Sequence, residues 1–476
     1  MTLAMTTSER AARAAKLSLI GLAWPLFVEQ GLRILIGTVD TFQVSHVSDG
    51  AVAALGVAMQ VIFLSIIVFN FIGIGSSVVV THHLGAGDRA GADRIAAAAI
   101  GVNSWIGIAV SVVVASQAGP ILRLLQLPPE LRVYAVPFLT ILGGTLFLDA
   151  QNVAMAATLR AHGRTRDAML ITGGQNVLNV VGNYLVLFHL VGARPEAVTG
   201  VAISGAVSRL AAFVALRLMV ARRTGIWLGW RDYLTFPVRE VGRILHIGLP
   251  AAGENISYWL AFMTVTSFAS RLGAVPLATL SYTRSITNWV ILFAISIGLG
   301  TEILVGHLVG AGAFDEAYHR LLRSLRTGLV LVGCGAVVLA IAGPHLLGIF
   351  THDPAIVRAG STLLLLGLVI EPGRVFNIVV INSLRATGDA RFPVLMGASS
   401  MWGLWVPLAC GLALFTPLGV TGIWIAMACD EWLRGIMMYS RWKRRRWVKY
   451  AKRSHASVTA LSAAATAAAQ EPVESA

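Results

Sequence analysis

Runs of about twenty apolar residues recur from one end of this 476-residue chain to the other. A helix of about that length crosses the hydrocarbon core of a bilayer, where each backbone N–H and C=O must be satisfied inside the segment. The runs fall near 17–44, 52–80, 95–118, 134–158, 168–190 and 198–220, then near 242–270, 276–305, 323–344, 355–383, 392–415 and 419–440. A barrel would instead alternate apolar and polar residues in stretches of about ten. Charged residues make up 13% of the chain, against about 25% in an ordinary soluble protein, so there is no charged shell to face water. The expected fold is an all-α integral membrane bundle of twelve transmembrane helices.

The net charge of +14 suggests nucleic acid until the charges are placed. Lys and Arg gather in the two termini and the even-numbered loops, which puts both termini in the cytoplasm of a plasma (inner) membrane protein. Arg33, Arg209, Arg284, Arg374 and Arg434 lie inside spans. The basic, aromatic run from Arg441 to Arg453 is expected to rest on anionic lipid heads, and the Ala-rich stretch after Ser454 to be weakly ordered. No nucleic-acid partner is expected. Cys334, Cys410 and Cys429 all fall in apolar spans without paired spacing, which implies neither a disulfide framework nor a zinc site. The polar first fifteen residues have no hydrophobic core region or cleavage site, so no removable signal peptide is expected.

The chain repeats itself at an offset of 225 residues. Pro25 and Glu29 fall on Pro250 and Glu254, and Gly73-Ile-Gly75 falls on Gly298-Leu-Gly300. His82 and Gly85-Ala-Gly87 fall on His307 and Gly310-Ala-Gly312. Asn152 and Leu159-Arg160-Ala161-x-Gly163 fall on Asn377 and Leu384-Arg385-Ala386-x-Gly388. Further on the offset slips to 222, where Thr199-Gly200 meets Thr421-Gly422. Six spans per copy is an even number, so the copies share one orientation and relate by an axis along the membrane normal. Two such lobes suit alternating access around a central site. The expected lobes are 1–221 and 242–440, joined by an Arg-rich cytoplasmic linker at 222–241 and followed by a basic tail at 441–476.

The first copy carries Trp24-Pro25-Leu-Phe-Val-Glu29-Gln30, Thr38-Val39-Asp40-Thr41-Phe42 and Val52-Ala-Ala-Leu-Gly56. The second carries Gly248-Leu-Pro250-Ala-Ala-Gly253-Glu254-Asn255, and both carry the Gly-Ala-Gly and Leu-Arg-Ala-x-Gly loops. In their order these resemble the multidrug and toxic compound extrusion (MATE) family, in the broad bacterial branch with DinF-like members. The resemblance covers the chain up to the basic tail. It implies a twelve-helix exporter of amphipathic, mostly cationic compounds, driven by inward protons or sodium ions and using no other cofactor. In keeping with that, the chain has no Gly-x-x-x-x-Gly-Lys-Ser/Thr phosphate loop.

Ionisable side chains inside spans are costly, so each is a site candidate. In span 1, Glu29, Arg33 and Asp40 share one helical face, and Arg33 is spaced to pair with Glu29. Asp40 has no evident partner, and its repeat counterpart is Val265, so fold symmetry does not demand an acid there. It also stands where the resemblance places the ion-coupling acid. Span 5 adds Asn176, Asn179 and Asn183 on one face. Sodium-site relatives place an Asn and then an Asp here; Asn179 matches the first, but Asn183 replaces the acid. The span-6 hydroxyl of that pattern falls at Gly205, beside Ser204. Fewer anionic oxygens favour H+ over Na+ as the coupling ion. Asp40, Asn179 and Asn183 are therefore the ion-coupling candidates. In the second copy Glu254, Tyr258 and Asn377, with Glu29 in the first, are candidates for substrate binding or gating. Arg33, Glu371 and Arg374 are expected in structural ion pairs, Glu371 with Arg374 at i,i+3. Asp430, Glu431 and Arg434 form a packing cluster, and the adjacent His82 and His83 lack the further ligands a metal needs.

Three other readings compete. Gly85-Ala-Gly-Asp88-Arg89 approximates the loop signature of major-facilitator carriers, but its repeat copy at Gly310 lacks the Asp-Arg pair. A lipid or polysaccharide flippase of the same superfamily would more often have fourteen spans. A membrane-embedded transferase would need an aspartate-rich or His cluster that the chain does not show. The function expected is cation-coupled export of a small organic cation by a secondary transporter, not an enzyme.

Overall fold

A computed structural model describes residues 17–190, 196–229, 232–233 and 237–470. The first repeat forms α1 (Leu19–Ser45), α2 (Asp49–Ala86), α3 (Arg89–Ser116), the short α4 (Ala118–Leu124), α5 (Arg132–Gly144), α6 (Leu146–Ala161), α7 (Thr165–Leu185) and α8 (Glu196–Thr224). The second forms α9 (Val238–Ser270), α10 (Ala274–Gly310), α11 (Phe314–Gly348), α12 (Pro354–Ala386), α13 (Arg391–Ser400), α14 (Val406–Leu414) and α15 (Val420–Lys443). A last helix, α16, covers Val448–Gln470.

Among the described residues, eight helices are long and apolar enough to cross a membrane. Pro129–Gly144 and Leu146–Ala161, bent by 46° at Thr145, pass the same test together and would make a ninth as one broken span. The remaining expected spans are α7, α9 and α15, and polar residues are what lower their hydropathy: three Asn in α7, Glu254 in α9, and Asp430, Glu431 and Arg434 in α15. The bundle is the expected all-helical one. Span 11 is continuous only through a π-helical turn, Met401–Trp405, between α13 and α14.

The glycines of the two repeated loops end helices. Gly87, Gly163, Gly312 and Gly388 all have φ between 74° and 87°, a region where a Cβ is strained. Each closes the same pair of reverse hydrogen bonds. Asp88 N donates to His83 O (2.9 Å) and Gly87 N to Leu84 O (3.1 Å), and the pattern recurs as Arg164 to Leu159, Ala313 to Leu308 and Asp389 to Leu384. These satisfy the last carbonyls of α2, α6, α10 and α12. At the other end of α12, Asp353 Oδ1 accepts from Ala355 N (2.8 Å) ahead of Pro354.

The chain forms two compact units. One holds Val28–Val80 and Arg89–Gly248; the other holds Thr81–Asp88, Leu249 onward and the described part of Met1–Phe27. The first is packed around Phe69, Leu122, Phe138, Leu139 and Leu146, all below 2% exposure. In that unit α2 crosses α9 closely, because a Cβ on Gly75 or Gly248 would run into the carbonyl of Ile244 or Phe71. In the other unit α2 and α10 cross at their ends through Gly85 and Gly310, which abut the backbones of His307 and His82. There too the start of α1 lies on α10, with Gly300 against Ala23 and Phe27 stacked on Phe293 at 4.1 Å.

The tail departs from its expectation. Residues after Ser454 continue α16 to Gln470, and the helix docks on two of the glycine turns. His455 Nδ1 is 2.8 Å from Gly310 O, and Ser454 Oγ donates to Thr387 O at 3.4 Å. Trp447 is fully buried and stacks on Trp442 at 4.3 Å, while Arg441 grips Asp389 with two hydrogen bonds (2.5 and 3.1 Å). Alanine's helix propensity is free to act here because a buried Trp-Ala-Val stripe (Trp447, Ala451, Val458) anchors the helix.

Candidate functional site

Asp40, Asn179 and Asn183 meet in the first unit. Asn183 is fully buried, and its Nδ2 donates to Asp40 Oδ1 at 2.7 Å, with Gln43 Oε1 at 3.1 Å and Asn179 Oδ1 at 3.3 Å. Three acceptors surround a nitrogen with two hydrogens, so the amide is shared among them. Gln43 is held in turn by donating to Val180 O (3.1 Å). Asn183 Oδ1 is buried with no hydrogen-bond partner among the described residues. Ser204 donates to Asn179 O (3.2 Å), and Asn176 donates to Leu32 O (2.7 Å), a packing contact between α7 and α1. The Asp40 carboxylate is 9% exposed and carries the only formal charge within this hydrogen-bonded group. Such a group can take up a proton or draw in one monovalent cation.

Glu29 lies elsewhere on α1. One of its oxygens accepts from Arg33 (3.0 Å), as the spacing suggests, and from Arg160 (2.9 Å). Glu254 accepts from Arg385 at 2.6 Å. Arg160 and Arg385 are the arginines of the repeated Leu-Arg-Ala-x-Gly loops. Each unit thus closes the same ion pair, between acid and base 131 positions apart. Both candidate acids are buried and neutralised.

In the second unit α12 and α15 share a larger buried network. Arg374 meets Glu371 at 2.5 Å, as the i,i+3 spacing suggests, and Glu431 at 3.1 Å. Asn377 donates to Glu431 at 2.7 Å; Arg434 meets Asp430 at 2.6 Å, and Ser400 donates to Asp430. Tyr258 stacks on buried Trp405 at 5.9 Å, and Arg284 lies over the Phe262 ring at 3.5 Å. His82 and His83 act as packing groups, toward Ala386 O (2.6 Å) and Asp88 (2.8 Å). No group of three or more His, Cys, Asp or Glu suited to a metal occurs among the described residues.

Sequence reasoning missed four partners. Gln43 stands one turn beyond Asp40, at a spacing that would have found it. Arg160 and Arg385 are visible as repeated residues, but the span lengths alone put them in loops. Asp149, at the bend in span 4, pairs with Arg209 at 2.8 Å, and nothing but its place in an apolar stretch marks it.

Comparison with known proteins reproduces the repeat. The family model described as MatE matches residues 25–185 and again 250–410, displaced by 225 residues at both ends. YisQ of Bacillus subtilis (strain 168), an uncharacterized transporter, is 39% identical over 432 residues, covering 91% of this chain and 95% of its own. The probable multidrug resistance protein NorM of Thermotoga maritima is 25% identical, covering 90% and 93%. The multidrug resistance protein PmpM of Pseudomonas aeruginosa is 23% identical, covering 93% and 94%. Among solved structures, a MATE in its bent conformation superposes with a TM-score of 0.82 at 20% identity, over 95% of this chain and 98% of that one. An outward-facing multidrug resistance MATE transporter gives 0.81 at 20% identity, over 91% and 96%. At those identities the structural likeness speaks for the fold.

Proposed function

The chain belongs to the multidrug and toxic compound extrusion family, multi-pass membrane proteins that are secondary transporters rather than enzymes, and from that premise we propose that it exports amphipathic organic cations in exchange for protons carried by Asp40. The observation that carries this is the setting of Asp40, a buried carboxylate among neutral amides with no arginine among the described residues hydrogen-bonded to it. Glu29, Glu254, Glu371 and Glu431, by contrast, each meet at least one arginine. An acid without a bonded counter-ion gains most from binding a proton, and an incoming organic cation would compete for the same charge. The proposal places both termini in the cytoplasm, following the positive-inside asymmetry. The exposed Lys443, Arg444, Arg446, Lys449, Lys452 and Arg453 would then meet anionic lipid heads.

One observation favours sodium. Rotating the Asn183 amide by half a turn would exchange its donor for the unpartnered Oδ1. Four oxygens, from Asp40, Gln43, Asn179 and Asn183, would then face one point, a hard-oxygen set suited to Na+. Ethidium uptake into everted vesicles, driven separately by proton and sodium gradients, decides between them. Uptake on the proton gradient that Asp40→Asn abolishes is the expected result. Uptake on sodium alone would overturn proton coupling, and uptake on neither would overturn drug export.

A further inference from the structure

Each unit holds an ion pair at the same place in the repeat, partly buried in the first unit and buried in the second, and the two pairs have opposite polarity. In the first unit Asp149 of α6 meets Arg209 of α8 at 2.8 Å, with side chains 14% and 11% exposed. At the offset of 225 Asp149 falls on Arg374, and at the offset of 222 Arg209 falls on Glu431. That second pair is 3.1 Å apart, with side chains 6% and 5% exposed. An asparagine accompanies each: Asn152 donates to Arg209 O (3.3 Å), and its counterpart Asn377 donates to Glu431 (2.7 Å). Each second helix also donates to a backbone carbonyl, at the bend in the first unit and inside the continuous α12 in the second. Arg209 reaches Leu142 O (3.1 Å) at the bend before Thr145, and Trp432 reaches Val369 O (2.8 Å) beside Pro372. The copies share the attachment of one helix to the other, not the sign of the charges.

We propose that Asp149 and Arg209 are positioning residues for the Asp40 cluster, holding α8 against the bend between α5 and α6 whichever way the charges run. The link is short. On α8, Ser204 donates to Asn179 O (3.2 Å), and a Cβ on Gly205 would touch both Leu142 (3.0 Å) and the Asn179 amide (3.7 Å). The same stretch of α8 therefore backs the bend and the amide that shares Asn183 with Asp40. A loosened α8 withdraws that backing and changes how the Asp40 carboxylate is hydrogen-bonded. This rests on the reading of Asp40 as the coupling residue.

The test is infrared spectroscopy of the purified full chain in detergent, with the Asp40 bands identified as those lost in Asp40→Asn. Asp149→Asn and Arg209→Met are expected to displace these bands. The double variant Asp149→Arg with Arg209→Glu, which copies the polarity of the other unit, is expected to return them to the wild-type position. It should also restore ethidium transport to within about threefold of wild type. Should the single variants fail to fold, Arg209→Lys keeps the charge but loses the planar fork, and displaced bands are again expected. Bands unmoved in Arg209→Lys or in the single variants overturn the proposal. So do bands in the reversed variant that stay displaced while it melts within a few degrees of wild type. The spectra need no substrate, so a wild type that fails to move ethidium refutes the antiport reading separately.

Discussion

The repeated acid–arginine pair predicts that one substitution will have unequal costs at two symmetric positions. In Glu254→Gln, Arg385 loses the carboxylate it meets at 2.6 Å, while its side chain is only 8% exposed and its Nε already has no partner. An uncompensated charge at such depth costs about 3–5 kcal/mol. In Glu29→Gln the arginines left behind are 20% and 45% exposed, so they can turn toward solvent. The loss there falls to about 1–2 kcal/mol, the low end of the cost of leaving a hydrogen-bond donor without its acceptor. At about 2–4 °C per kcal/mol for units of this size, Glu254→Gln should lower the melting temperature by about 6–20 °C and Glu29→Gln by about 2–8 °C. The assay is tryptophan-fluorescence melting in detergent at fixed protein and salt. Glu254→Gln combined with Arg385→Met should recover most of the loss, because no charge is then stranded. Equal losses at the two sites, or a double variant as weak as Glu254→Gln alone, would refute the reasoning.

Three further expectations follow from the packing. Gly310→Ala forces apart the α2 and α10 backbones at His82 and should cut transport more than about tenfold, whereas Gly333→Ala, with open space around it, should stabilise by about 1 kcal/mol; transport and melting of both variants check this. Trp447→Ala empties a fully buried site stacked on Trp442 and should cost about 3–5 kcal/mol, read as faster tryptic cleavage at Lys449, Lys452 and Arg453. His162, at the end of α6, is held below the ordinary histidine range by burial, which outweighs its bond to Thr158 O and the nearby Asp93. The unfolded chain then binds the proton first, so stability present at neutral pH falls as pH drops through about 6.5 and below. His162→Gln should flatten that loss in melting curves between about pH 7 and 5, and an unchanged slope would count against it.

Much of this was legible because a bilayer leaves few options. Span length, the in-phase repeat and the i,i+3 and i,i+4 pairs follow from helical geometry, so Glu29 with Arg33 and Glu371 with Arg374 lie as spacing suggests. The convergence of Asp40 with Asn179 and Asn183 depended on α1 and α7 being neighbours, which the family resemblance supplied and periodicity did not. Partners from distant elements were illegible one by one. Arg385 is 131 positions from Glu254, and no local pattern joins them. Repeat logic could have: residues kept in both copies were kept as pairs. The helix from Ser454 to Gln470 was not legible because composition reports propensity alone, whereas buried Trp447, Ala451 and Val458 decide whether it docks; residues 471–476 lie outside the described residues.

The makeup of the compact units sets an order of events during synthesis. Ala23 and Phe27 pack on Gly300 and Phe293, about 270 residues further along the chain. At roughly 5–20 residues per second that partner emerges about a quarter-minute to a minute later. Until then the start of α1 lacks these packing partners, while Val28–Val80 and Arg89–Gly248 can already assemble. The first of the described spans is thus among the last to finish packing.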